Sequence, residues 1–182
     1  MKRLIFCFIL ILFLLLPVPG CGKELPVTAE IKGNGTPLSE LSGPPALTVL
    51  VKGQKLHAVC VGSEWKSDGE TVDGTGKFLF DYYLDGLIEW ASADSRPVTL
   101  RFDAIPDRIL SLRAWDLAVI TEEYEYSQVD DAVEIAVSDN RFVLPEGGVL
   151  LYELSAEWEE RDGVGGDATY AFILSDRMDE TK

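Results

Sequence analysis

An all-β fold, an antiparallel β-sandwich of about seven to nine strands, is what this 182-residue sequence predicts. Three observations predict it. From residue 46 onward, apolar and polar residues alternate in short runs, the period-two pattern of half-buried strands. Gly, Pro and Asp punctuate those runs where turns would fall. No amphipathic stretch of about 10–15 residues lies between them, which argues against the helices of an α/β fold. The length suits one domain, and an apolar share of 47% is too high for a disordered chain. With 31 acids against 16 bases the formal charge is −15, which excludes nucleic acid as a partner, because phosphate binding needs clustered Lys and Arg. One histidine and three cysteines leave little material for a transition-metal site, and no cofactor is implied.

The elements follow in chain order. Lys2 and Arg3 precede an apolar run of 13 residues at positions 4–16. As a helix that run reaches about 20 Å, short of a hydrocarbon core of about 30 Å, so it reads as a signal peptide rather than a spanning helix. Val18-Pro19-Gly20-Cys21 follows, and it resembles the lipobox of bacterial lipoproteins, with an apolar residue three before the cysteine and a small one directly before it. Val18 stands where leucine is commoner, and Pro19 is unusual at its place. The resemblance implies that Cys21 is acylated, becomes the mature N-terminus and anchors the protein on the extracytoplasmic face of the cell membrane. Two acyl chains hold durably where one would not. Processing of that kind leaves Cys60 as the lone thiol, which excludes an intramolecular disulfide. It also leaves 14 bases against 31 acids, a formal charge of −17.

Residues 22–45 are rich in Gly, Pro, Ser and Thr and keep no apolar period, a linker signature. As a coil of about 24 residues this segment would span about 25–30 Å. The organisation expected is therefore a signal peptide over 1–20, a lipidated cysteine with a flexible linker over 21–45, a sandwich over 46–176 and a tail over 177–182.

Within the sandwich, Leu47, Val49 and Val51 share one face of a first strand. In a second, Leu56, Ala58 and Cys60 line one face, with His57, Val59 and Val61 on the other. Residues 77–85 (KFLFDYYLD) suit a short helix, with a strand or packed loop as the alternative. Val98, Leu100 and Phe102 alternate with Thr99, Arg101 and Asp103. After Pro106, the alternation puts Leu110, Leu112 and Ala114 on one face and Arg113 and Trp115 on the other. Val133, Ile135 and Val137 mark a further strand, and Phe142 and Leu144 lead into a turn at Pro145-Glu146-Gly147-Gly148. Tyr152, Leu154, Ala156 and Trp158 then share a face opposite Glu153, Ser155 and Glu157. Residues 168–174 are apolar on both faces, as a central strand would be.

Residues 44–172 also resemble a domain of uncharacterised bacterial lipoproteins. The resemblance rests on Pro44-Pro45, Gly62-Ser63-x-Trp65, the step from Phe102-x-x-x-Pro106 to Trp115, and the succession Leu144-Pro145-Glu146-Gly147, Tyr152, Trp158, Gly166 and Tyr170-x-Phe172. It implies an immunoglobulin-like sandwich and brings no catalytic residues with it.

Candidate chemistry is sparse. Ser63-x-x-Lys66 and Ser138-Asp139-Asn140 match two serine β-lactamase motifs. That chemistry needs the serine to open a helix, yet Ser63 closes a strand, and no K-T-G follows Asn140. His57 has no nucleophile beside it in the sequence, and Cys60 reads as a small buried hydrophobe. Asp68, Glu70 and Asp73, and again Glu159, Glu160, Asp162 and Asp167, are acidic clusters without EF-hand spacing, so no metal site is expected. Aromatic residues suggest a surface instead. Trp115 with Glu122, Glu123, Tyr124 and Tyr126 forms the candidate binding patch, suited to a cationic or sugar ligand. The function expected is that of a membrane-anchored binding or interaction module, not an enzyme. Its partners would be the membrane, through lipid on Cys21, and a cationic ligand or basic protein. The alternative is a small extracytoplasmic hydrolase or calcium-dependent enzyme.

Overall fold

A computed structural model describes residues 35–51, 54–74, 76–93, 97–120, 132–146 and 148–176. Cys21, the signal-peptide segment, residues 22–34 of the expected linker, the acidic run holding Glu122, Glu123, Tyr124 and Tyr126, and the tail lie outside the described residues.

The chain folds as an all-β sandwich of two sheets. Strands β1 (Leu47–Val51), β2 (Gln54–His57), β6 (Val98–Phe102) and β9 (Arg141–Phe142) form the smaller sheet, in the order β2-β1-β6-β9. The larger sheet holds β3 (Val59–Ser67), β4 (Glu70–Asp73), β5 (Trp90–Ser92), β7 (Arg108–Asp116), β8 (Val133–Glu134), β10 (Val149–Arg161) and β11 (Val164–Ser175). Its order is β4-β3-β11-β10-β7-β8, with β5 also on β11. The eleven strands among the described residues exceed the seven to nine expected, in part because the predicted second strand is two. The chain leaves the small sheet at Ala58, whose N–H still bonds the Leu47 carbonyl, and enters the large sheet at Val59. One pairing is parallel rather than antiparallel, β5 against β11.

Side-chain period two builds the core between the sheets. Leu47, Val49, Val51, Val98, Leu100 and Phe102 face Leu112, Ala114, Tyr152, Leu154, Ala156 and Trp158 in one buried cluster. Tyr152 and Phe172 are cross-strand partners and stack with ring centroids 5.0 Å apart. Trp158 of β10 and Trp65 of β3 stand on either side of Gly166 of β11 in one register row. With no side chain between them, the two indoles meet edge to face at 5.7 Å. The Trp158 Nε1–H donates to the Ala104 carbonyl, fixing the β6–β7 connection to the core.

Asp–Gly pairs set the tight hairpins, as their spacing suggests. Asp68-Gly69 and Asp162-Gly163 both hold positive φ, the two-residue turn that matches strand twist. Ser138-Asp139-Asn140 belongs to a third such turn, Asp139 and Asn140 having φ of 51° and 58°. Residues 35–45, read as the end of the linker, lie against the sandwich. Thr36 N–H bonds the Asp103 carbonyl, Leu38 packs on the core, and the Tyr170 hydroxyl donates to the Pro45 carbonyl.

The large sheet is apolar on part of its second face as well. Within residues 77–85 a helix does form there, shorter than the segment, α1 (Leu79–Leu84). Leu79, Phe80 and Ile88 cover Val61, Trp115, Leu151, Ala171 and Ile173 in a second cluster. This explains why β11 is apolar on both faces.

Candidate functional site

The second face of the large sheet reads as a sequence of cross-strand rows. Trp115, Leu151 and Ile173 form the first, beneath the α1 segment. Arg113, Glu153, Ala171 and Val59 form the next, followed by Ser111, Ser155, Thr169 and Gly62. The last runs Arg108, Glu157, Asp167, Glu64 and Asp73, one cation followed by four carboxylates. The face thus runs from apolar, through the Arg113–Glu153 pair and a row of hydroxyls, to acidic, and the cover given by the described residues stops at the second row.

Two β-bulges produce these rows. Opposite Ser155 and Ala156, β7 carries one extra residue, so that Ile109 rather than Leu110 pairs with Ala156 and packs on the core. Leu110 is 52% exposed, which corrects its expected place on the face of Leu112 and Ala114. In β3, Val61 is the extra residue between Thr169↔Gly62 and Tyr170↔Cys60, and it turns toward Trp115 and Phe80.

A cavity of about 190 Å³ opens where the cover ends. Its floor is Gly62, Thr169, Glu153, Arg113 and Trp115, and its wall is Lys77 to Phe80. Arg113 donates from Nη2 to Glu153 Oε1, a pair that is about one-third and one-seventh exposed. The guanidinium also lies 5.3 Å from the Trp115 ring centroid. Trp115 in turn meets Phe80 edge to face at 5.7 Å. At the rim, Lys77 is paired with Asp85, whose hydrogen bond raises the lysine pKa. Arg113 Nε and Trp115 Nε1, on two residues that line the cavity, have no acceptor among the described residues, but both atoms are shut off from solvent beneath its surface. An unmet buried donor costs about 1–3 kcal/mol. Trp65 Nε1 is also unmet, but Trp65 lines none of the cavities described here.

Beyond the hydroxyl row, a shallower trough of about 540 Å³ runs over Glu64, Lys66, Glu157, Glu159, Glu160 and Asp167. Arg108 pairs with Glu157, and Lys66 with Glu160 at 2.8 Å. Among the described residues, no three His, Cys, Asp or Glu side chains come together as metal ligands would.

The residues singled out from sequence land as follows. Trp115 shares a face with Arg113, as expected, but is only 2% exposed and therefore offers no open aromatic surface. Trp65 and Trp158 are core residues, and Trp90 is 57% exposed. Ser63 and Lys66 sit three apart on strand β3, where odd spacing puts them on opposite faces. His57 ends β2 in the small sheet while Cys60 lies in β3 of the large one. Cys60 is exposed rather than buried. Neighbouring protein atoms still desolvate its thiol enough to raise the pKa. Sequence reasoning missed Glu153, Thr169 and Phe78. The available signal was Arg113 beside Trp115 on a face that period two leaves outward.

No protein-family model matches the chain, and neither a curated protein nor a solved structure does. The fold and the cavity define the class on their own terms: an all-β sandwich whose described residues cover one end of the second face of its large sheet.

Proposed function

We propose that this protein is an exported, lipid-anchored binding module whose ligand lies on the uncovered face of the large sheet. The observation that carries the reading is the cavity at the edge of the α1 cover, floored by the half-buried Arg113–Glu153 ion pair and Thr169 and walled by Phe78. Strand residues build that floor, so its polar groups are held by a rigid sheet rather than by loops. Export and anchoring are supported by the signal-like N-terminus and the lipobox-like Val18-Pro19-Gly20-Cys21. The immunoglobulin-like type of the sandwich belongs to the same proposal and is supported by two facing sheets between which the chain repeatedly crosses.

Two measurements test the reading. Labelling with a radioactive fatty acid should mark the wild-type chain and spare Cys21→Ser; equal incorporation removes the anchor. The full-length protein is also applied to arrays of basic peptides and of neutral and charged oligosaccharides. Thr169→Arg, in the middle of the proposed face, should lose the binding that wild type shows. Thr99→Arg, facing outward from the small sheet, should keep it. Equal binding by wild type and Thr169→Arg places the ligand elsewhere.

A further inference from the structure

We infer that the cavity at Arg113 and Glu153 takes a neutral, polyhydroxylated ring, the chemistry of a sugar residue. The inference rests on the proposed binding face and adds the class of ligand to it. Charge balance is the first argument. Both cations that line the cavity are already paired, Arg113 with Glu153 and Lys77 with Asp85. A charged ligand entering here would meet no unpaired counter-charge among these groups and would lose its hydration. Over the whole chain, moreover, acids outnumber bases 31 to 16, which disfavours an anion. A neutral hydroxyl pays no such charge penalty and can both donate and accept.

The second argument is the pattern of polar groups. Glu153 is a carboxylate acceptor, and Thr169 adds a hydroxyl bonded at 3.1 Å to that of Ser155. Glu153 and Thr169 stand on neighbouring strands in adjacent rows, so one ring that carries several hydroxyls can meet both. Apolar surface is the third. Phe78 is 63% exposed at the wall, beside Val61 and Leu79, and gives a flat face for the C–H side of a ring. Size agrees as well. About 190 Å³ is the liquid volume of roughly six waters, room for one ring and less than a drug-sized ligand needs.

Nuclear magnetic resonance on the ¹⁵N-labelled full-length chain in dodecylphosphocholine micelles tests this. The observed signals are the side-chain N–H peaks of Arg113 and Trp115, assigned with Arg113→Lys and Trp115→Phe. The probes are glucose, galactose, mannose and N-acetylglucosamine, then glucuronate, glucosamine and tetralysine. At least one neutral sugar should shift both peaks saturably, and glucuronate and glucosamine should bind at least tenfold more weakly. Phe78→Ala, at an exposed position, should weaken the sugar at least threefold without altering the rest of the spectrum. If glucosamine, glucuronate or tetralysine shifts the peaks as strongly as any neutral sugar, the ligand class is wrong and the binding face stands. If no probe shifts any amide of the large sheet, both readings fall.

Discussion

Replacing Gly166 with alanine should remove a large share of the protein's stability, because the position has neither the space nor the backbone conformation for a side chain. Gly166 holds φ at +139°, a region that L side chains rarely adopt. A Cβ built there would stand 2.0 Å from the Glu64 carbonyl oxygen and 3.1 Å from the Trp65 Cα, both backbone atoms of the neighbouring strand. Relief therefore requires β3 to move away from β11 by more than 1 Å, since ordinary contact begins near 3.4 Å. That movement would open the ladder and part Trp65 from Trp158. Backbone strain of this kind costs about 1–3 kcal/mol, and the lost packing and hydrogen bonds raise the total to about 3–5 kcal/mol. A domain holds only about 5–15 kcal/mol in all. The assay is urea unfolding followed by tryptophan fluorescence, with Gly62→Ala as the internal control. Gly62 lies in β3 with nothing within 4 Å of its would-be Cβ, so that change should shift stability by less than about 0.5 kcal/mol. A loss below about 1 kcal/mol in Gly166→Ala, or a loss equal to that of Gly62→Ala, would refute the steric argument.

The bulge in β7 predicts opposite outcomes at adjacent residues. Ile109→Asp should cost about 2–4 kcal/mol by placing a charge against the core, whereas Leu110→Asp should stay within about 0.5 kcal/mol. The reverse order in urea titrations would move the bulge. Burial raises the pKa of Tyr170, so the folded chain keeps this proton at pH values where the unfolded chain, near its ordinary value of 10, has lost it. The stability from this group is therefore full below about pH 10 and falls as pH rises further, by about 1.4 kcal/mol per unit. Tyr170→Phe should flatten that slope by one proton while losing about 1 kcal/mol at neutral pH, with its bond to the Pro45 carbonyl. An unchanged alkaline slope in the variant would show that Tyr170 titrates normally. In a Cys7→Ser, Cys21→Ser background, iodoacetamide labelling of Cys60 should keep accelerating above pH 9 in the folded chain and level off near its ordinary pKa of 9.0 in urea. Coincident pH profiles would remove the desolvation of this thiol.

Much of the inter-sheet core was legible because it depends on parity alone. Leu47, Val49 and Val51, or Tyr152, Leu154, Ala156 and Trp158, can be assigned to one face without knowing the partner strand. Turns at Asp68-Gly69 and Asp162-Gly163 were legible for the same local reason. What was not legible depends on register between distant strands. The run from Arg108 to Trp115 alternates acceptably in either parity, and only its pairing with Ser155 and Ala156 shows the extra residue at Leu110. The burial of Trp115 depends on Phe80, 35 positions away, so the sequence around Trp115 could not show it. Cys60 followed the expected alternation, yet the bulge at Val61 and the sheet change at Ala58 left it exposed.

The position of the cavity follows from a mismatch of lengths. β10 has 13 residues and runs about 44 Å, while α1 has six and reaches about 9 Å. A cover that short can shield only one end of the sheet face, and it sits where the rows are apolar, over Leu151 and Ile173. Extending it by two more rows would bring it over Glu157, Asp167 and Glu64, and burying those carboxylates would cost several kcal/mol each. The cover therefore ends at the first row that carries charge, which is Arg113 and Glu153. There the ion pair is dry on the α1 side and open on the other, so it keeps a geometry fixed by the sheet while remaining reachable from solvent. Moving the boundary should move the site: apolar substitutions at Ser155 and Ser111 would extend the covered region only if α1 were longer, and without that they would leave an apolar patch in water.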